Sequence, residues 1–528
     1  MSAGASGANP AGANPDRPHL EVRHKALLTF FVMSGVIMQV LDATIANVAL
    51  PHMQASLGAT PESVSWVLTS YIIAAAMVTP VSGWLADRLG IRTLFLMSVG
   101  LFMVASLLCG LATSLPQMVA FRLLQGVGGA SLGPLGQSVL LNINRPSDHP
   151  RAMSSFGIGT MVGPIAGPIL GGWLTENLDW RWVFLVNLPV GIVCFAGLWW
   201  LMPRVERGNR PFDLPGWALI AIALAAFQLL LDRGEHVDWF NSAECWIEAG
   251  VAISALWMFG VHLATAQRPL YPPAMLRDPN LLLGCLFMFA LGLVQLAGLA
   301  LLPTMMQTLF GYPVLTTGVV LATRGVGLMI AMMAAGRLVG RIGARPLITV
   351  GLIMLSYSLW MMTGWSLEMD SGPILLSGIV QGVAMGFIFL PLTVITFTTL
   401  PTRFRTDGAG LMNLSRNTGG SIGVAIATVV LSRTLQISHA DLAAHLTPYN
   451  LAFDPTLLAT YGEVGEAALR VVDGMVTRQA TMIAFLDVYH MMLLMSLGAM
   501  PLIMLLRARR PAREEESAAD DHAHVAFD

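Results

Sequence analysis

LLTFFVMSGVIMQVLDATIANVALP, Leu27–Pro51, decides the class of this chain, because it is apolar for the length of a bilayer core and holds one carboxylate. A helix needs about 20 residues to cross roughly 30 Å of hydrocarbon. Asp42 would therefore lie inside the membrane, where ionising it costs about 2.5–3.5 kcal/mol even on the mildest insertion scale. A chain that keeps such a group has a partner or a use for it.

The rest of the chain is of the same kind. Of 528 residues, 55% are hydrophobic and 11% charged, and the mean hydropathy is +0.67. That leaves too little polar surface for a water-soluble globule and describes an all-α polytopic membrane protein. The net charge of −2, with no basic block away from the membrane flanks, gives no sign of nucleic-acid binding. Cys109, Cys194, Cys245 and Cys285 fall in apolar segments without metal-ligand spacing and read as small buried apolar residues. The histidines are scattered, so no metal site is expected, and no catalytic constellation is present. Without a GxxxxGK[ST] loop, this chain does not use ATP to drive transport.

Fourteen apolar segments follow the polar, Gly-, Ala- and Pro-rich tail at 1–25, which is expected to be disordered and not a cleaved leader. They lie near 26–50, 63–86, 93–113, 117–141, 153–174, 182–202, 214–231, 245–266, 281–302, 315–338, 346–366, 373–398, 407–431 and 482–506. With the amino terminus inside, 21 of the 29 Lys and Arg residues fall on inner flanks. Arg181, Arg233, Arg433, Arg470 and Arg478 fall outside, and only Arg122, Arg324 and Arg416 lie within segments. A miscounted helix would reverse the sign of every later loop, so the alternation supports fourteen helices with both termini cytoplasmic.

Three stretches are more specific than lipid-facing helix. GWLADRLGIRTLF, Gly83–Phe95, turns between the second and third segments and carries Gly83, Asp87, Arg88, Gly90 and Arg92. Anchoring by positive charge plus a glycine turn explains part of it; the order Gly, Asp, Arg, Gly, Arg goes further. A degenerate copy without the acid, GRLVGRIGAR, follows the tenth segment at Gly336–Arg345. FRLLQGVGGASLGP in the fourth segment places Arg122 at about the depth of Asp42, so the two either lock helices as an ion pair or handle a proton. GTMVGPIAGPILGG in the fifth spaces Gly159, Gly163, Gly167 and Gly171 by four, next to Gly172, with Pro164 and Pro168 bending the helix. Such spacing lets helices approach closely.

The Gly83–Arg92 loop is similar to the signature loop of the major facilitator superfamily, and GxxxGPxxGPxxGG resembles the helix-5 motif of its antiporter branch. LDATIANVALP at Leu41–Pro51, DWRWVFLVNLPVG at Asp179–Gly191 and GLMNLSRNTGGSIGVAI at Gly410–Ile426 resemble the fourteen-helix drug:proton antiporters of the EmrB/QacA subfamily. The resemblance runs from about Lys25 to Arg510. It implies the major facilitator fold: six-helix bundles at 26–202 and 281–506, two inserted helices within 203–280, and a cytoplasmic tail at 507–528. Asp42 and Arg122 would couple protons, the Gly83–Arg92 loop would gate, and Asp87 would face Arg403 or Arg405 of the other bundle. Helices lining the implied central cavity contribute Gln39, Trp66, Tyr71, Gln125, Gln137, Gln295, Gln307, Arg324, Gln381, Met412 and Asn413, each of which is equally an interhelical hydrogen bond or filler.

The only sizeable outer loop, 433–481, reads as two short amphipathic helices, with Leu442, Leu446 and Tyr449 on one and Leu457, Leu458 and Tyr461 on the other. EmrB-type members work with a periplasmic adaptor protein and an outer-membrane channel; QacA-type members do not. The resemblance thus implies proton-driven export of lipophilic small molecules across a bacterial inner membrane, with no cofactor beyond the proton gradient. A dedicated exporter of one metabolite, a stand-alone pump, an importer of the same fold and a membrane receptor or scaffold are the rival readings.

Overall fold

The computed structural model describes residues 18, 20, 22–204, 208, 211–234, 237, 239–401, 404–445 and 466–505. Both tails beyond these limits, Arg403, and Leu446, Tyr449, Leu457, Leu458 and Tyr461 of the outer loop lie outside the described residues. Thirteen described helices are long and apolar enough to cross a membrane. In chain order, the first half has α1 Lys25–Leu57, α2 Trp66–Leu89, α3 Ile91–Gly110, α5 Pro146–Asn177 and α6 Trp182–Leu201, with α4 between α3 and α5. Then come α7 Leu214–Arg233, α8 Ala243–Thr265, α9 Pro279–Thr308, α10 Val314–Ile342, α11 Ala344–Met362, α12 Ser371–Thr399, α13 Arg405–His445 and α14 Glu466–Ala499.

The remaining span, α4, is two consecutive pieces, Leu115–Gly129 and Leu132–Ile143. It breaks after Gly128 and Gly129, where the backbone gains little from staying helical. With α4 included, the architecture is that of fourteen membrane helices. The first six form one bundle and the last six another. The inserted pair α7–α8 lies against the seam between α2 and α13: Trp217 Nε1 donates to Met77 O at 2.9 Å, and Ser421 Oγ of α13 donates to Gln228 of α7 at 2.9 Å.

The second seam is α5 against α10, and it runs the depth of the membrane. Gly318 and Gly325 of α10 receive Ile169 and Ile165, Met332 packs over Gly157, and Gly336 sits by the Pro150 carbonyl. The opposite face of α5 is its glycine row, packed on α1. A Cβ on Gly163 would lie 2.8 Å from the Leu41 backbone nitrogen, and one on Gly167 would strike the Thr44 hydroxyl. Thr44 Oγ1 donates to the Gly163 carbonyl at 3.0 Å. The two small-residue rows therefore put α5 in backbone contact with α1 on one side and in close packing with α10 on the other.

Two turns repeat between the halves. Gly90 joins α2 to α3 at φ +84°, and Gly343 joins α10 to α11 at the same φ, a conformation open to glycine at little cost. On the face of the molecule bearing these turns, α13 closes onto the first bundle. Arg405 Nη1 donates to Asn142 Oδ1 at 2.9 Å, Ser138 and Thr406 hydroxyls meet at 2.8 Å, and Asp407 lies over Gly83, where no Cβ would fit.

The 433–481 segment, expected as an outer loop of two short helices, differs from that form in its described residues. Leu442 is not on a separate short helix: α13 continues unbroken to His445, a 41-residue helix of about 61 Å at 1.5 Å per residue. That is about twice a bilayer core. Helix α14 likewise begins at Glu466, well before its apolar stretch, and His439 meets Asp473 at 3.1 Å between the two extensions. Helical propensity in polar, Ala-rich sequence carries both helices past the hydrocarbon boundary that hydropathy alone detects.

Candidate functional site

Asp42 is fully buried, and its carboxylate is held by donors from two other helices of the first bundle, α4 and α6. Arg122 Nη1 of α4 reaches Oδ2 at 2.6 Å, while Gln125 Nε2 and Asn187 Nδ2 donate to Oδ1 at 2.8 and 2.9 Å. Ser106 of α3 sits behind them, accepting from Gln125 at 3.2 Å and Asn187 at 3.1 Å and donating to the Phe184 carbonyl at 2.9 Å. Arg122 spends its Nε on the Val67 carbonyl at 2.9 Å and its Nη1 also on Gln125 Oε1 at 2.9 Å. Its guanidinium lies 4.6 Å from the Tyr71 ring centre and 5.5 Å from that of Phe184. Every group that touches the carboxylate is a donor, which fits the ionised form.

Glycines position this network. Gly126 of α4 lies where a Cβ would come within 2.5 Å of the Tyr71 carbonyl, and Gly128 where one would meet the Phe102 nitrogen at 2.8 Å. Helix α4 is thereby wedged between α2 and α3, and Arg122 and Gln125, one turn apart on one face, both reach α1. Gly163 brings α5 against the turn of α1 that carries Asp42. Asn187 and Ser106 were not among the residues expected from sequence. A lone polar residue in an apolar span is ordinary; the signal lay in Asp42, whose oxygens accept more bonds than one arginine supplies.

Several expected cavity residues lie elsewhere. Gln125 is consumed by the Asp42 network because it shares a helix face with Arg122. Trp66 lies 5.7 Å under the Arg233 guanidinium, which pairs with Glu244 of α8. Gln307 is exposed near the end of α9. Gln39 donates to the Tyr71 hydroxyl at 3.2 Å and Asn413 to Gln137 at 3.5 Å, while Gln381 and Met412 are buried. In the Gly83–Arg92 stretch, Asp87 gives its carbonyl to Gly208 N at 2.8 Å, and Arg92 reaches the Trp199 carbonyl. Arg405 turns to Asn142 and not to Asp87; the carboxylate that α13 lays on the loop is its own Asp407, a first-turn acid favoured by the helix dipole.

Between the bundles a cavity of about 10 Å³ remains, bounded by Thr160, Met161, Gln295, Met288, Met332, Met385, Phe389 and Arg416 among others. That is room for about one water. Arg324, one turn from Leu328 on the cavity wall, is half-buried, with Nη1 and Nη2 inaccessible and lacking any hydrogen-bond partner among the described residues.

A polytopic helical bundle pair, with a buried charge network in one half and a cavity between the halves, is the architecture of a membrane transporter. Residues 32–424 match the family model described as Major Facilitator Superfamily. The chain is 35% identical over 429 residues to the multidrug export protein EmrB of Haemophilus influenzae, covering 80% of this chain and 84% of that one. It is 31% identical over 496 residues to the fatty acid resistance protein FarB of Neisseria gonorrhoeae, covering 93% and 98%. The crystal structure of the human organic anion transporter MFSD10 aligns with a TM-score of 0.58 at 14% identity, covering 89% of this chain and 99% of that one. The chain belongs to the major facilitator superfamily, among its EmrB-like multidrug efflux permeases.

The network makes a thermodynamic prediction. Removing one member of a buried ion pair strands the other, at about 3–5 kcal/mol, whereas removing both relieves that penalty. Arg122→Gln should therefore lower the thermal unfolding temperature in detergent more than the Asp42→Asn/Arg122→Gln double variant does. Strictly additive losses in the mutant cycle would mean that the two charges are not coupled.

Proposed function

We propose that this efflux transporter is a proton-coupled antiporter in which Asp42 carries the proton and Arg122 is its counter-charge. The observation that carries the reading is a carboxylate saturated by donors and sealed from water, on a helix in backbone contact with α5, which also walls the central cavity. Opening the network on one side exposes Asp42 to a proton, and protonation frees Arg122, Gln125 and Asn187 from it. Re-forming the network on the other side expels the proton. A proton gradient then supplies the energy, with no cofactor.

By the positive-inside rule the face bearing Gly90 and Gly343 is cytoplasmic, as are both termini, and the membrane is the inner membrane. The Gly83–Arg92 loop with Asp407 and Arg405 then forms the cytoplasmic gate, closed in this conformation. Extended α13 and α14 project from the opposite face with Ile437, Val471 and Met475 exposed, which suits docking to a periplasmic adaptor protein and through it to an outer-membrane channel. The alternative is a stand-alone pump. Lipophilic drugs are the substrate class, and four methionines around the cavity suit ligands of varied shape. A narrower reading, lipophilic anions, is favoured by the Arg324 Nη1 and Nη2, which have no partner among the described residues, and by the name of the fatty acid resistance relative FarB.

In everted vesicles, Asp42→Asn should insert normally and abolish drug-induced collapse of the pH gradient; normal activity would assign coupling to another acid. Replacing 433–481 by a Gly/Ser linker should spare vesicle transport but remove cellular resistance, and unchanged resistance would favour the stand-alone pump. Arg324→Gln should raise KM for a lipophilic weak acid about tenfold, with little change for a lipophilic cation, as expected for loss of ground-state binding. Equal effects on both would discard the anion reading.

A further inference from the structure

Apart from the central pathway, a groove of about 730 Å³ opens on the lipid-facing side of the first bundle, between α3 and α6. Its mouth carries Arg92 and Arg204, and its wall is Leu96, Met97, Phe195 and Trp199. No acidic side chain lines it among the described residues. Helix α3 has 20 residues, about the thickness of the hydrocarbon core, so Arg92 in its first turn stands at the headgroup level. Trp199 and Trp200, 57% and 89% exposed, mark the same depth as an interfacial aromatic pair. The Arg92 guanidinium is held over the Trp199 ring, 5.6 Å from its centre, and bonds that residue's carbonyl. Farther in, Phe195 and Trp199 stack with an interplanar angle of 19°, and at Gly100 a Cβ would meet only the Phe195 ring edge at 3.7 Å.

Two cations above an apolar channel that opens to the bilayer match one amphiphile. We propose that this groove binds an anionic phospholipid, its phosphate between Arg92 and Arg204 and an acyl chain along Met97, Gly100 and Phe195. The charge selects the headgroup and the channel selects the chain, so neither a zwitterionic lipid nor free phosphate fulfils both. The site adjoins the Gly90 turn between α2 and α3, so its occupant also braces the loop on which α13 closes.

The test is native mass spectrometry of the delipidated full-length protein titrated with phosphatidylglycerol, or with phosphatidylethanolamine of the same chains. One phosphatidylglycerol should bind at least about fivefold tighter than phosphatidylethanolamine, the ratio expected for one arginine near an anionic headgroup. Arg204→Gln should cut that preference by at least about half, Arg204→Lys should retain it, and Gly100→Phe should weaken binding of both lipids by filling the chain track. Equal binding of the two lipids by the unaltered protein, or an undiminished preference in Arg204→Gln, would overturn the proposal. So would displacement of phosphatidylglycerol by millimolar inorganic phosphate, which would reduce the groove to a headgroup site. If Gly100→Phe fails to elute as a single species, the two Arg204 variants decide.

Discussion

An ionised carboxylate in the middle of a bilayer is tolerated only when something replaces its water. At Asp42 that replacement is complete, with a guanidinium, two amides and a hydroxyl behind them converging from α3, α4 and α6 on α1. Such convergence demands short interhelical distances, and short distances demand residues without side chains at the crossings. Gly126, Gly128 and Gly163 meet that demand, each where a Cβ would come within 2.8 Å of a neighbouring backbone atom. Removing water from one charge therefore accounts for much of the first bundle's packing.

Helix α5 translates that local constraint into a global one. One row of it, Gly159, Gly163, Gly167 and Gly171, lies on α1; the row containing Gly157, Thr160 and Met161 walls the cavity; Ile165 and Ile169 key into glycines of α10. Residues four apart stay on one face, so these contacts coexist on a single helix. A change in the spacing of α1 and α4 around Asp42 must be absorbed by α5, and α5 has little slack on either side. The Pro164 and Pro168 rings, which remove two backbone donors, are where the helix bends most readily. Coupling between the charge network and the cavity then needs no chain of ionisable residues.

How legible this was in the sequence varied with the physics. Span number followed from hydropathy and from arginines, because both report the membrane directly. The break in α4 did not, since Gly128, Gly129 and Ala130 look as apolar as their neighbours. Neither did the lengths of α13 and α14, because hydropathy stops at the lipid boundary while helical hydrogen bonding does not. Asp42 and Arg122 were legible as an isolated pair of opposite charges at similar depth; Asn187 and Ser106 were not, because a neutral polar residue carries no depth signal of its own. Gln125, expected at the cavity, sits instead on Asp42, because three residues from Arg122 it shares that residue's helix face. Asp407 was overlooked because an acid in a first turn already has an ordinary explanation in the helix dipole.

The two halves end up electrostatically unlike. The first closes its membrane charges as a neutral pair, whereas the second half-buries Arg324, its two terminal nitrogens inaccessible and without a partner among the described residues, and lines the cavity with Arg416. Inaccessible guanidinium nitrogens without hydrogen-bond partners raise the energy of the conformation that contains them. The collapsed cavity, with room for about one water, is that conformation. A bound molecule shifts a conformational equilibrium only through its unequal affinity for the two states. The bare guanidinium supplies such an inequality: a ligand able to accept its hydrogen bonds stabilises a filled cavity over the collapsed one, and a ligand that cannot leaves the penalty in place. Under the proposed mechanism, recognition in the second half and charge release in the first are thus separate devices, joined through the packing of α5.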